Sequence, residues 1–290
     1  MTVEVRSELD FNVVKFKEEF APFAVDGPGN DNVVLQHQFE LPAWKSRDWG
    51  KELYRRRPWV ISRADGEWIY RGVTPGQTDD DLHRIAVFNA DYSHGTVYSM
   101  PYHRALAVRE GFHSLSLLPT DQIWLAPALA TRNGALIHSA AVILNGQGLL
   151  FVGHSGAGKS TTVTMLQSRA AIEILCDDRN VVRRWDDGWR VHGTWSHGDV
   201  AAVSAAAAPL RGILFLEQDA RNELVPLADR REIWRRLLVR LVRPMTTVDW
   251  WEKEMGILER LVGEVPFFVM RFDKSGAIVA ALDRLTKGAA

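Results

Sequence analysis

"FVGHSGAGKSTTVTML", residues 151–166, decides how the rest of this 290-residue chain is read. An apolar run, "GLLFVG", leads into it, and a helix-compatible run leaves it and extends to about Arg169. Within it, Gly153, Gly158, Lys159 and Ser160 satisfy G-x-x-x-x-G-K-[ST]. Glycines let successive backbone N–H groups turn inward, and the helix that follows presents its positive end, so the segment is built to receive phosphate. In that reading Gly153, Ser155, Gly156, Ala157, Gly158, Lys159, Ser160 and Thr161 cradle a nucleotide. Lys159 reaches the terminal phosphates and the Ser160 hydroxyl ligates Mg²⁺. A random chain of this length meets the pattern with a probability of roughly 1%, and here the strand-before, helix-after context is also met. His154 reads as a loop-shaping residue.

The expected surroundings are α/β. "ALIHSAAVIL" and "GLLFVG" flank Asn145-Gly146-Gln147 and predict a hairpin. "IEILC" reads as a short buried strand ending at Asp177, and "NVVRRWDDGWRVHGT" as a hairpin turning at Asp186-Asp187-Gly188. "RGILFLEQ" and "PFFVMRF" read as further strands. "ADRREIWRRLLVRLV" places Ile233, Trp234, Leu237, Leu238, Leu241 and Val242 on one helix face, and "DWWEKEMGILERLVGEV" is a second helix.

Residues 1–130 differ. They are rich in Trp, Tyr and Pro, with hairpin patterns at "WVISRADGEWIYRGV" and "HRIAVFNADYSHGTVYSM". "VDGPGNDN" and "TPGQTDDD" read as exposed loops. "FHSLSLLPTDQIWLAPALATRNG" begins strand-like and becomes a helix at Thr120 or Asp121, with Gly134 as its stop. The division expected is a β-rich accessory or acceptor-docking domain over 1–130 and a nucleotide-binding domain over 131–290.

Asp177-Asp178 follows Lys159 by one helix and one strand. If "IEILC" runs in the direction of "LLFVG", its C-terminal end meets the glycine loop at the same sheet edge. One carboxylate can then hold Mg²⁺ while the other takes a proton from an attacking hydroxyl. The alternative is an ordinary Asp-Asp turn. A Leu144–Leu149 pairing across a four-residue connection would place His138 opposite Ser155, beside the phosphates, where it can hold Asp177 or stabilise its charge.

"LIHSAAVILNGQGLLFVGHSGAGKST" followed by "IEILCDD" resembles the C-terminal core of HPr kinase/phosphorylase and its relatives, over about residues 134–183. The resemblance implies an α/β fold: a P-loop kinase core of HPr kinase/phosphoenolpyruvate carboxykinase type, here with an N-terminal β-rich domain. It implies ATP and Mg²⁺, with Asp177 as acid/base supported by His138, Lys159 on the transferred phosphoryl group, and Ser160 and Asp178 toward the metal. The chain carries Ser160-Thr161 where bacterial HPr kinase has Ser-Glu, and its N-terminal half resembles nothing in that enzyme. The closer resemblance is to HPr-kinase-like enzymes of small gene clusters, including those that phosphorylate a serine of a ribosomal peptide precursor. That implies a hydroxyl acceptor on a peptide, protein or small molecule. Two alternatives stand beside it: a nucleotide-binding regulatory ATPase without acceptor, and an HPr-type protein kinase/phosphorylase.

Other features narrow the field. A formal net charge of −1 gives no global pull toward nucleic acid or anionic membrane. No apolar run approaches the ~18 residues of a membrane span, and the first residues lack a signal-peptide pattern. The single cysteine, Cys176, leaves no disulfide framework and no multi-cysteine zinc site. A cytoplasmic enzyme is the expectation, and a homo-oligomer is compatible with the sequence. "GTWSHGD", with Thr194, Ser196, His197 and Asp199, reads equally as a site-lining or a surface loop. Arg211 could reach a phosphate, and the arginines of 230–243 read as a solvated helix face.

Overall fold

The computed structural model describes residues 1–42 and 47–288. It is a mixed α/β chain with two sheets. It divides into one unit of Met1–Thr131 with Arg243–Glu252, and another of Arg132–Val242 with Lys253–Ala290.

In the first unit, β1 (Thr2–Arg6), β2 (Asn32–Gln38), β3 (Lys51–Arg56), β4 (Trp59–Ala64), β5 (Glu67–Val73), β6 (Leu82–Phe88) and β7 (His94–Ser99) form a sheet of order β1-β2-β7-β6-β5-β4-β3. The β4–β5 hairpin turns through Asp65 and Gly66, both at positive φ, as Ala-Asp-Gly between two β-branched and aromatic runs predicts. Two features were not legible. Helix α1 (Pro101–Glu110) buries only Ala107, so its sequence carries no apolar stripe. "FHSLSLLPT" is not a strand. The buried Asp121 carboxylate accepts from the Leu115 and Ser116 N–H groups, the Ser116 hydroxyl and Trp124 Nε1, gathering this segment into a loop before α2 (Gln122–Ala130). That helix ends at Ala130, and the turn after it closes at Asn133, which takes the left-handed φ of +55°; Gly134, expected as the stop, instead opens the next strand.

The second unit starts with β8 (Gly134–Leu144) and β9 (Gln147–Val152), joined by the two-residue turn Asn145-Gly146. Leu144 therefore pairs with Gln147, not Leu149, and the last pair is Ser139 with Val152. His138 lies level with Gly153 rather than Ser155, because positive φ at both turn residues permits a tighter connection than the four-residue one expected. The glycine loop follows, then α3 (Lys159–Gln167), β10 (Ile172–Cys176), β11 (Arg179–Trp185), β12 (Gly188–His192), β13 (Ala207–Gln218), β14 (Glu223–Pro226), α4 (Arg230–Leu238), α5 (Val248–Glu264), β15 (Phe267–Phe272) and α6 (Val279–Lys287).

Strand β8 organises the sheet. Along one edge it pairs antiparallel with β10 through Ala141–Leu144 and then with β11 through Gly134–His138. Residues 172–185 thus form one run interrupted at Asp177-Asp178. Along its other edge β8 pairs with β9 and, past the end of β9, bridges to Leu241. Because β9 and β10 are each antiparallel to β8, they run in the same direction without touching, and both end at one sheet edge. Strand β13 is parallel to both β9 and β15. Val142, Leu149, Phe151, Val163, Leu166, Leu214, Met270 and Leu282 form the core between this sheet, α3 and α6. Helix α4 stops at Leu238, four residues before the pattern predicted, because Leu241 and Val242 are taken up by β8.

Candidate active site

The loop after β9 is held by its glycines. Gly158 caps α3 at φ +102°, and a Cβ there would lie 2.9 Å from the Phe272 ring. A Cβ on Gly153 would lie 2.6 Å from that of Ala157. The first intrahelical bond of α3 runs from Thr162 N–H to Gly158 O, so the N–H groups of Lys159, Ser160 and Thr161 precede it. Ser155 and Gly156 are exposed at the loop tip, Thr161 is exposed on the first turn, and His154 is exposed with Nδ1 2.6 Å from Ser155 O. Lys159 is buried, its ammonium 3.3 Å from Gly153 O. Burial and the nearby charge of Arg240 pull its pKa down, against the carboxylates of Asp178, Asp177 and Asp199.

The interrupted run beside β8 supplies the acids. The pairing of β10 with β8 shifts register between Ile174 and Cys176, just before the Asp pair. Asp177 turns toward α3. It is 2% exposed and accepts from Gly198 N–H at 2.6 Å, Val200 N–H at 2.9 Å and the Ser160 hydroxyl at 3.1 Å. Asp199 Oδ2 also lies 3.5 Å from Ser160 Oγ. Asp178 turns the other way. Its carboxylate accepts from His138 Nδ1 at 2.9 Å and pairs with the Arg179 guanidinium at 2.5 Å, with 18% of the side chain exposed. Burial pushes the Asp178 pKa up, but the His138 hydrogen bond and the charges of Arg179, His138 and Lys159 outweigh it and hold the group below its ordinary value.

The partners expected of the two acids are therefore exchanged. Asp177, not Asp178, meets Ser160; Asp178, not Asp177, meets His138. The physical reason is that neighbours in an extended chain point to opposite faces, and the register shift decides which faces α3.

The polar loop after β12 belongs to the site. Gly198 and Val200 supply the amides that hold Asp177, and a Cβ on Gly198 would stand 3.3 Å from that carboxylate. Thr194 bonds Arg179 O, and Ser196 accepts from Arg179. Asp199 was the residue most easily undervalued; its one signal was its place in a glycine-bounded polar stretch. His197 is exposed and bonds only its own loop. Arg211 does not reach the site, because its Nε donates to Leu285 O. Cys176 is buried, and burial pushes its thiol pKa up.

Beside the loop lies a cleft of about 740 Å³, lined by Gly153, Gly156, Glu217, Arg235, Arg236 and Arg240, among others. Arg235 and Arg236 are tied to Glu232, and Arg236 also to Glu217. Among the described residues no group of three or more His, Cys, Asp or Glu side chains is arranged to hold a metal. The donors that do converge, a hydroxyl and two carboxylates, are all oxygen, the set a hard cation takes when it keeps water or phosphate as its remaining ligands.

Residues 122–287, more than half of the chain, match the family model described as SynChlorMet cassette protein ScmC. The chain belongs to this family. Its match takes in α2 and every element from β8 to α6, and so the whole of the site above. No curated protein matches the chain. Among solved structures, the Hpr(Ser) kinase/phosphatase from Coxiella burnetii is similar at 11% identity, with 53% of this chain and 88% of that chain covered and a TM-score of 0.31. So slight a likeness carries no inference about this chain. No helix among the described residues is long and apolar enough to cross a membrane.

Proposed function

We propose that this protein is an ATP- and Mg²⁺-dependent kinase that transfers the γ-phosphoryl group to a hydroxyl of a peptide, protein or small molecule. The loop N–H groups and Lys159 hold the phosphates, as a glycine-rich P-loop before a helix does. Ser160 and Asp177, with Asp199 behind them, are the ligands for Mg²⁺, which when bound would neutralise charge on the phosphates. Asp178, oriented by His138, receives the acceptor's proton. These last assignments reverse those drawn from family resemblance, and the hydrogen-bond partners support the reversal.

The observation that carries a transferase over a nucleotide-binding switch is the second carboxylate. Asp177 alone would serve a switch, buried and held by two amides and a hydroxyl. Asp178 remains partly exposed, with a histidine fixing its orientation, as a proton acceptor requires. The test is incubation with γ-labelled ATP, Mg²⁺ and candidate acceptors: serine-bearing peptides, HPr-like protein and hydroxylated metabolites. Label entering an acceptor, with slow hydrolysis in its absence, is the expected result. Rapid hydrolysis that no acceptor alters, leaving label only in free phosphate, would refute the assignment.

A further inference from the structure

The first unit holds a buried cation that no described residue neutralises. Arg84, on β6, is 7% exposed, and among the described residues it has neither an ion pair nor a hydrogen bond; its Nε is sealed from solvent. Around it are other buried polar atoms without partners: Ser99 Oγ on the facing position of β7, His83 Nδ1 and His103 Nδ1. The His83 and His103 rings lie 6.4 Å apart, and Tyr102 stacks on His103 at 4.0 Å. A buried charge is ordinarily paired, because desolvation without a counter-ion is costly. Three orphaned groups beside one unpaired guanidinium form a receptacle for an anion.

The helix above exposes apolar side chains among its charged ones. Helix α1 buries only Ala107 and leaves Tyr102, Leu106 and Val108 exposed, with Met100 just before it. Tyr102 and Leu106 are four residues apart and share a face. Tyr102 is also close enough to Arg84 to influence its charge, so the exposed ring and the cation adjoin.

We infer that α1 and the adjoining start of β6 and end of β7 form a docking site for an apolar peptide segment carrying an Asp or Glu side chain, whose carboxylate pairs with Arg84 while neighbouring apolar side chains cover Tyr102 and Leu106. A carboxylate suits the site better than a phosphate dianion because the histidines add no charge. Burial, then the charge of Arg84, pulls His103 down to about 4, and the same causes lower His83. At neutral pH the receptacle carries one positive charge, matching a monoanion. The guanidinium fork also fits a carboxylate in two-pronged fashion. This inference is independent of the reading of the glycine loop.

The experiment uses the full chain and a fluorescein-labelled octapeptide alternating leucine and glutamate, with its leucine–glutamine counterpart as control, read by fluorescence anisotropy. The wild-type protein is expected to bind the glutamate peptide at least tenfold more tightly than the glutamine one. Arg84→Met should abolish that preference and raise the Tm of the free protein, since it removes an uncompensated buried charge; a purely structural arginine would lower Tm when replaced. Leu106→Glu, at an exposed position, should weaken the glutamate peptide at least tenfold with little effect on folding. Equal affinity for the two peptides, an Arg84→Met protein that keeps the preference, or an unaltered Leu106→Glu protein would overturn the proposal. Inorganic phosphate displacing the peptide at concentrations where acetate does not would overturn its carboxylate part.

Discussion

Replacing the two adjacent acids separately should give opposite phenotypes. Asp177→Asn converts one carboxylate oxygen to an NH₂ group. Gly198 N–H donates to one oxygen and Val200 N–H to the other, so either amide orientation sets a donor against a donor. The loss of a charge-assisted bond, about 1.5–3 kcal/mol, adds to an unsatisfied buried donor, about 1–3 kcal/mol. Relief of repulsion with Asp178 and Asp199 offsets part of this, leaving a net loss of about 3 kcal/mol. At about 2–4 °C per kcal/mol for a unit of this size, Tm falls by about 6–12 °C. Asp178→Asn keeps one oxygen for His138 or Arg179 at a partly exposed position, and its stability cost stays within about 1 kcal/mol. The kinetic pattern inverts. Asp178→Asn should retain the nucleotide-induced rise in Tm and lose about 10²–10⁴-fold in transfer rate. Asp177→Asn should need much more Mg²⁺ to reach whatever rate it retains. The measurements are thermal melts with and without Mg-ATP and label transfer across a Mg²⁺ titration. If Asp178→Asn transferred at the wild-type rate while Asp177→Asn lost transfer with an unchanged Mg²⁺ requirement, the exchange of partners would be functionally wrong and Asp177 would be the base.

Lys159→Ala should leave the melting temperature of the free protein about unchanged, because burial already disfavours that charge, yet remove the thermal shift produced by millimolar Mg-ATP; a full shift in the variant would remove the loop lysine from nucleotide binding. Glu254, fully buried on α5 with neither carboxylate oxygen partnered among the described residues, has its pKa raised well above the ordinary value by burial. The fold therefore keeps its proton while the unfolded chain loses it above a pH of about 4.3, so this group's contribution to stability falls as pH rises past that point. Glu254→Gln should raise Tm at pH 8, with the gain shrinking toward pH 4; a gain independent of pH would show that the carboxyl is neutralised in another way.

The strand–loop–helix around Lys159 was legible because each part has its own local cause. The β8–β9 turn is set by Asn-Gly, the loop by glycines at 153 and 158, and α3 by the end of an apolar strand. The short hairpins of the first unit were legible for the same reason. Helix α1 was not, since a helix that buries one residue leaves no periodicity, and the failure of the pattern there coincides with an exposed surface. The end of α4 was misread because Leu241 and Val242 continue an apolar face in sequence while β8 takes them in space. No local rule reports a partner more than a hundred residues away.

The Asp pair marks the sharper limit. Its nearness to the glycine loop followed from counting elements, and β9 and β10 do end at one sheet edge. Which acid faces α3 depends on a single register shift before Cys176, and a one-residue slip moves every side chain to the opposite face. A hydrophobic pattern cannot fix such a slip here, because the run stops being a regular strand at the acids themselves. What fixes it is the loop after β12, whose Gly198 and Val200 amides both donate to the Asp177 carboxylate. Asp177 fills that place and so is withdrawn from solvent, which leaves Asp178 at the surface with His138. On the proposed reading, the two roles that phosphoryl transfer divides between carboxylates, holding a cation and accepting a proton, would separate through the demand of two backbone N–H groups rather than through any difference in the acids' own sequence.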